Sequence, residues 1–268
     1  MSRLCIRLYA ITVALTGAIA LLLAMSGSLL AEEPPAASQE EIARNCEQTD
    51  TAWLAIRACT ALLNRSEADS DAQSRFHISR GLAWLKEEEP KEALADFTRA
   101  IEVNPTDLRA LTGHARANAA LGDHNAAAGD WTRAIEQAGL SHPGPPEGID
   151  KMYLERGAEW LATGNTDTAL ADYAKALELN PKNTNAHIAR ANAYLKLDDR
   201  DRALAEFESA AKIDPGDIRP YMARGEAAER LGDTQLAIES YMIAAKTNPR
   251  GSGQARQSLK RLGVDNMP

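Results

Sequence analysis

Cysteines and histidines are the residues in this 268-residue chain best equipped for chemistry, and their spacing argues against most of it. The five histidines (His77, His114, His124, His142 and His187) form no His-x-x-x-His or similar ligand spacing, and no cysteine pairs with them, so no metal site is expected. Cys46 and Cys59 do not form a Cys-x-x-Cys, and no basic cluster adjoins either to stabilise a thiolate. The sequence has neither a glycine-rich phosphate loop nor a nucleophile elbow. Carboxylates are abundant but fall at the intervals of solvated helix faces. No catalytic residue and no cofactor is expected.

Charges of opposite sign recur in a more ordered way. Arg80, His114, Arg156, Arg190 and Arg224 each precede a small residue, and Asp96, Asp130, Asp172, Glu206 and Ser240 each precede an aromatic. If the two sets lie on the two arms of antiparallel hairpins, they face each other and clip the arms together. A row of charged ligand contacts is the alternative reading.

The elements that must carry these residues repeat. Ala93, Ala127, Ala169, Ala203 and Ala237 are separated by 34, 42, 34 and 34 residues. The aromatics Phe97, Trp131, Tyr173, Phe207 and Tyr241 keep the same rhythm, as do Gly81, Ala115, Gly157, Ala191 and Gly225. Such a period is the mark of stacked supersecondary units. Each reads as two helices: Ser74–Lys86 and Pro90–Glu102 in the first, closed by Asn104-Pro105. Asp123, Asn165, Asp199 and Asp233 stand as N-caps of the second helices, Gly122, Gly164 and Gly232 end the first helices, and Pro105, Pro181, Pro215 and Pro249 stop the second. The small residues permit close helix approach and the aromatics fill the space between hairpins. The second unit departs furthest: Asn118 replaces an aromatic, Gly139 replaces the final proline, and Ala126-Ala127-Ala128-Gly129 should weaken its second helix.

This pattern resembles the tetratricopeptide repeat. The resemblance implies an all-α, right-handed superhelical solenoid of antiparallel helix pairs, with about five repeats, N-terminal lead-in helices and a C-terminal capping helix. The units run 72–105, 106–148 (with an eight-residue insert around 140–148), 149–181, 182–215 and 216–249, followed by a capping helix and tail over 250–268. In that architecture the first helices line a concave groove. Candidate contacts there are Arg75, Arg109, Arg116, Lys151, Asn185, Asn192, Lys196 and Arg219, suited to an acidic peptide or a C-terminal carboxylate. Simple solvation of an exposed face is the competing reading, and Glu226 and Glu229 interrupt the stripe. The carboxylate clamp of chaperone-binding members is not reproduced, because Ile78, Leu154, Ile188 and Met222 occupy a position where the clamp carries a lysine.

Arg3 and Arg7 precede an apolar run from Leu8 to Met25, followed by small residues up to Ala31. This is the order of a secretory signal peptide over 1–31, cut after Ala31 or after Ser28, with an uncleaved anchor as the alternative since about 18 apolar residues can span a bilayer. A linker (32–40) and a lead-in (41–71) follow. Export leaves Cys46 and Cys59 as an even pair in an oxidising compartment, hence a disulfide. On one straight helix they would be about 20 Å apart, so the chain must break between them, at Gln48-Thr49-Asp50-Thr51. The lead-in resembles the Cys…Ala-Cys-Thr-Ala-Leu segment that precedes such repeats in secreted bacterial proteins.

The formal charge of −8 argues against nucleic acid as a partner. The expectation is a periplasmic or secreted scaffold that binds a protein or peptide in its concave groove, touching membrane only through the N-terminal segment if that is retained. An inner-membrane-anchored assembly factor facing the periplasm is the alternative, and an enzyme with a site assembled across repeats a remote one.

Overall fold

The computed structural model describes residues 38–47, 50–65, 69–141, 148–249 and 251–264; the expected signal peptide and the middle of the 140–148 insert lie outside them. The chain divides into two units, Met1–Gln39 and Glu40–Pro268. Among the described residues there are thirteen α-helices and no strand. None of these helices is long and apolar enough to cross a membrane.

A short hairpin comes first, α1 (Gln39–Glu47) and α2 (Ala52–Leu63). Five pairs follow: α3 (Ser70–Lys86) with α4 (Pro90–Val103), α5 (Leu108–Ala120) with α6 (His124–Ser141), α7 (Ile149–Ala162) with α8 (Thr166–Leu179), α9 (Thr184–Lys196) with α10 (Arg200–Ile213), and α11 (Arg219–Arg230) with α12 (Thr234–Thr247). The last helix is α13 (Gly253–Arg261), packed on α12. Consecutive helices touch throughout the pairs, and first helices also meet across units, α3 with α5, α7 with α9 and α9 with α11. The result is a helical repeat solenoid.

Local chemistry explains where the helices stop. Pro90 opens α4 in its first turn, where a missing N–H costs nothing. Asp123, Asp199 and Asp233 accept from the backbone N–H three residues on. Asn165 does not; its side chain donates to Thr163 Oγ1 instead. Helices α4, α8, α10 and α12 each have 14 residues and end two positions before a proline. Helix α6 has 18 residues, carries Gly139 where the other units have their proline, and ends two positions before Pro143. The Ala-rich start expected to weaken α6 therefore does not shorten it. With Gly139 in place of proline, the backbone donors needed for another turn remain available.

The tight turn between the arms needs a left-handed residue in every unit. Gly122, Gly164 and Gly232 supply it at φ between 74° and 84°, and Glu88 and Asp198 take the same place at 59° and 56°.

The core is the predicted one. Ala93, Ala127, Ala169, Ala203 and Ala237 are fully buried, and so in effect are the five aromatics four residues later. The aromatics fill the room that small residues leave: a Cβ on Gly81 would stand 2.9 Å from the Phe97 ring, and one on Gly157 would stand 2.6 Å from Tyr173. A steric block of this kind explains why glycine stands there.

The hairpin α1–α2 is a further unit with its core rewritten. The buried residues of α2 (Ala55, Ala58, Cys59 and Leu62) fall in the same register as Ala93, Asp96, Phe97 and Ala100 of α4. Cys59 thus takes the place of the aromatic. It is bonded to Cys46 of α1, with a Cα–Cα distance of 4.8 Å across the break between the two helices. The missing ring volume comes from the other side, since Phe76 of α3 packs against Cys46 and Cys59; the same register holds Ala110, Met152, Ala186 and Pro220 in the later first helices.

Candidate functional site

A polar clip ties the two arms of each unit. Arg80 grips Asp96 through two hydrogen bonds (Nε to Oδ2, 2.8 Å; Nη2 to Oδ1, 2.7 Å), and Arg156 grips Asp172 in the same bidentate way at 2.8 and 2.6 Å. Arg190 Nη2 donates to Glu206 at 2.6 Å, and Arg224 Nε donates to Ser240 Oγ at 2.9 Å. In the second unit His114 Nδ1 lies 2.6 Å from Asp130, and Asn118 donates to the same oxygen at 2.8 Å. Asn118 is therefore a compensation and not a loss: it supplies the second donor that histidine lacks.

Two histidines join these clips unannounced by the repeat pattern. His77 Nδ1 lies 2.8 Å from Asp96, and His187 Nδ1 lies 2.7 Å from Glu206. Burial pushes both carboxyls upward, but the hydrogen bonds from His77 with Arg80, and from His187 with Arg190, outweigh it and hold both below their usual range. Arg80 and Arg156 also reach back to the preceding helix pair, donating to Thr60 and Thr132 at 3.0 and 3.1 Å. These groups are spent on each other.

First helices meet their counterparts at three junctions, α3 with α5, α7 with α9 and α9 with α11, and line one side of the stack there. Two hollows open along it. The larger, 780 Å³, has Leu161, Leu195 and Ala227 in its lining together with Lys196, Glu226 and Arg230. The smaller, 550 Å³, lies between α1–α2 and the first helices α3 and α5, with Leu82, Leu85, Lys86 and Arg116 in its lining. Each combines apolar surface with a few charges, the make-up of a peptide groove.

The eight predicted wall residues divide in two groups. Arg75 pairs with Glu47 at 3.3 Å and Arg109 with Asp107 at 3.5 Å. Arg219 is held by Asp217 at 2.6 Å and donates to Asn185 Oδ1 at 2.7 Å. These four stand near the helix starts, satisfied within the protein. Lys151 is exposed on the same band, away from both hollows. Arg116, Asn192 and Lys196 do line the hollows; Arg116 is stacked 5.9 Å over the Trp131 ring, and Lys196 donates to the Leu161 carbonyl at 3.5 Å. Lys86 and Arg230, which continue the basic stripe of the sequence one helix length beyond the helix starts, line the hollows as well, and the structure adds the apolar Leu82 and Leu195. Leu82 is exposed and Leu195 half-buried, a signal of shape that a search for charge passes over. At the C-terminal end Glu229 is taken up by Arg261 of α13 (2.7 Å) and by the Tyr241 hydroxyl (2.6 Å). Among the described residues no group of three metal-ligating side chains converges.

Two tetratricopeptide-repeat family models match this sequence, over residues 78–143 and 161–239, together more than half of its length. The chain belongs to the tetratricopeptide repeat family. Solved TPR structures share its fold. The protein described as YrrB, a TPR protein with an unusual peptide-binding site, superposes with a TM-score of 0.52 at 18% identity, covering 76% of this chain and 99% of its own. PilF of Pseudomonas aeruginosa gives 0.58 at 16% identity over 82% and 98%. MamA from Desulfovibrio magneticus RS-1 gives 0.56 at 18% identity over 67% and 97%. At these identities the likeness is one of fold. Among curated proteins, U-box domain-containing protein 70 of Oryza sativa subsp. japonica is 28% identical over 149 residues, 55% of this chain. The match takes in 17% of that protein's length.

Proposed function

We propose that this TPR protein is an exported scaffold which holds a segment of a partner protein along the inner wall of its first helices. The observation that carries the reading is the 780 Å³ hollow, where leucines of α7 and α9 and the α11 side chains Glu226 and Arg230 make a partly apolar trough. An extended peptide can bury side chains there while the charges fix its direction. YrrB, a neighbour in fold, is described as having a peptide-binding site, which fits the same use of the wall. The buried carboxylates Asp96, Asp130 and Asp172 are held in the clips, Asp150 accepts from Asn180 and Asn183, and Glu159 lies against His124, which fits a scaffold better than an enzyme.

Export rests on the order of residues 1–31 and on the cysteine pair, which suits an oxidising compartment. Residues 41–71 then form the lead-in, 72–249 the five units and 250–268 the cap and tail. The apolar run of residues 8–25 favours a second version, in which the same domain faces the periplasm from an inner-membrane anchor. N-terminal sequencing of the mature protein separates the two: a chain starting after Ala31 or Ser28 supports release, and an intact Met1 supports the anchor.

The groove itself is tested with a photo-crosslinking side chain placed at Asn192 or Leu195, and at Ile243 of α12 as a control away from both hollows. Partner adducts at Asn192 and Leu195 but not at Ile243 support the reading. Adducts only at Ile243 would overturn it.

A further inference from the structure

Two positions beyond the small residue of each first helix, four of the five units bury an alanine: Ala83, Ala117, Ala193 and Ala227 are at most 4% exposed. Ala117, Ala193 and Ala227 each share an apolar cluster with the alanine and the aromatic of the preceding second helix. The third unit departs from this pattern. It carries Glu159 at that place, a carboxylate buried nearly as deeply at 7% exposure. His124, the first residue of α6, meets it with Nδ1 2.7 Å from Oε2. Thr166 and Arg200 stand in the register of His124 at the next two junctions, where the first-helix residue is alanine. A buried charge pair adds little over a well-packed apolar contact, yet removing one partner strands the other in the interior. Its best-attested use is to hold a register or a switch.

The same junction differs from the others in two more respects. First helices pack on one another at α3–α5, α7–α9 and α9–α11, whereas α5 and α7 have no comparable packing. The connection from α6 to α7 also carries the eight extra residues that lengthen this one step of the repeat to 42. Apolar contact gathers at one end of the junction, where Ile135 and Ala138 of α6 meet Ile149 of α7, with Leu108 and Met152 packed against them. The other end is polar. There His124 lies against Glu159, and Arg116 of α5 is within electrostatic reach of Glu155, one turn before Glu159 on α7. The two hollows fall on opposite sides of this junction, the smaller lined from α1 to α5 and the larger from α7 to α13.

We propose that the junction of the second and third units is a hinge, with its pivot at the Ile135–Ile149 contact and a latch at His124–Glu159, and that its setting fixes how the two hollows face each other. With the latch closed, the two parts of the wall hold one orientation. When Glu159 loses its partner, the stranded carboxylate seeks water. The polar end of the junction then opens, because no apolar cluster holds it shut. A segment long enough to touch both hollows meets them at a different spacing in the open setting. The hinge does not depend on what the wall binds.

The test measures distances by double electron–electron resonance between nitroxide labels on the mature oxidised chain, in which Cys46 and Cys59 are occupied by their own bond. The labels replace exposed residues two before the buried aromatics. Ala95 with Ala171 spans the first two junctions, the hinge among them, and Ala171 with Glu239 spans the two later ones. His124→Ala should widen the Ala95–Ala171 distance distribution about twofold or more, as both settings become populated, and leave Ala171–Glu239 unchanged. Adding Glu159→Ala, which restores the alanine of the other units, should return the first distribution to a single narrow peak. If His124→Ala does not fold, His124→Thr, which brings in the residue type of Thr166, should broaden the same distribution to a smaller extent.

An unchanged Ala95–Ala171 distribution in the folded single variant overturns the latch. Equal broadening of both distances overturns the hinge, since the solenoid then loosens everywhere. A double variant as broad as His124→Ala overturns the proposal as well, because the stranded Glu159 is then not what opens the junction. Crosslinking along the groove is decided separately from all three outcomes.

Discussion

The hairpin α1–α2 and the pair α3–α4 solve one packing problem with different chemistry. In α4 a phenylalanine reaches between two first helices whose glycines make room for it, and a bidentate arginine–aspartate clip ties the arms. In α2 the same register carries Cys59 and Ala58, so the ring and the clip are both absent. A covalent bond replaces them, and Phe76 of the next helix restores the volume. The repeat thus requires that the second helix be pinned to the first at this one level. It does not specify the means. A ring pins a helix only when helices flank it on both sides, whereas a disulfide needs only its own partner.

The largest test of this contrast is Phe97→Ala. Removing a fully buried ring that touches two first helices should cost about 3–5 kcal/mol and destabilise both adjoining pairs, read by calorimetry and by faster amide exchange in α3 and α5. Replacing Cys46 and Cys59 by alanine should cost about 3 kcal/mol, confined to α1, α2 and the start of α3. An exchange pattern equally broad in the two variants would break the comparison.

Asp172→Ala should cost about 1–3 kcal/mol by leaving the half-buried Arg156 without its partner, and an unchanged Tm would mean the clip contributes nothing. Acid should act in the same direction. Asp96 and Glu206 have carboxyls held below their usual range in the folded state, so the stability they contribute is fully present above the unfolded-state pKa of about 4 and lost as pH falls through the lower folded value. The smallest effect is a gain. Glu88→Gly relieves a left-handed non-glycine residue and should raise stability by up to about 1 kcal/mol, measured as a higher denaturant midpoint at unchanged m-value.

Much of this was legible in the chain because it repeats. The period gave the pairs, the prolines and Asp caps gave their ends, and facing charges gave all five clips, with Ser240 in the last. What escaped lacked either repetition or local sequence signal. Glu88 and Asp198 hold a backbone conformation that their side chains do not advertise. In sequence the hairpin α1–α2 resembles a lead-in and not a repeat, because Cys59 hides the aromatic register and the step from Ala55 to Ala93 is not 34 residues. Glu47 meets Arg75 from 28 residues away, a pairing no helical interval reveals. Asp107 and Asp217, in contrast, stand two residues from Arg109 and Arg219, so their capture of those cations was open to view.

The separation of 13 residues between Cys46 and Cys59 also bears on the order in which the molecule is made. A loop of that length closes in roughly 10–100 ns, far faster than residues are added to a growing chain. The two thiols can therefore meet before α3 is made, while the bond itself waits for an oxidant and takes seconds or longer. Helix α3 docks on this hairpin, where Arg80 donates to Thr60. Each later pair adds to the one before through contacts short in sequence, the condition for quick assembly by propagation. The α1–α2 hairpin, closed by contacts short in sequence, is one end from which such propagation can start.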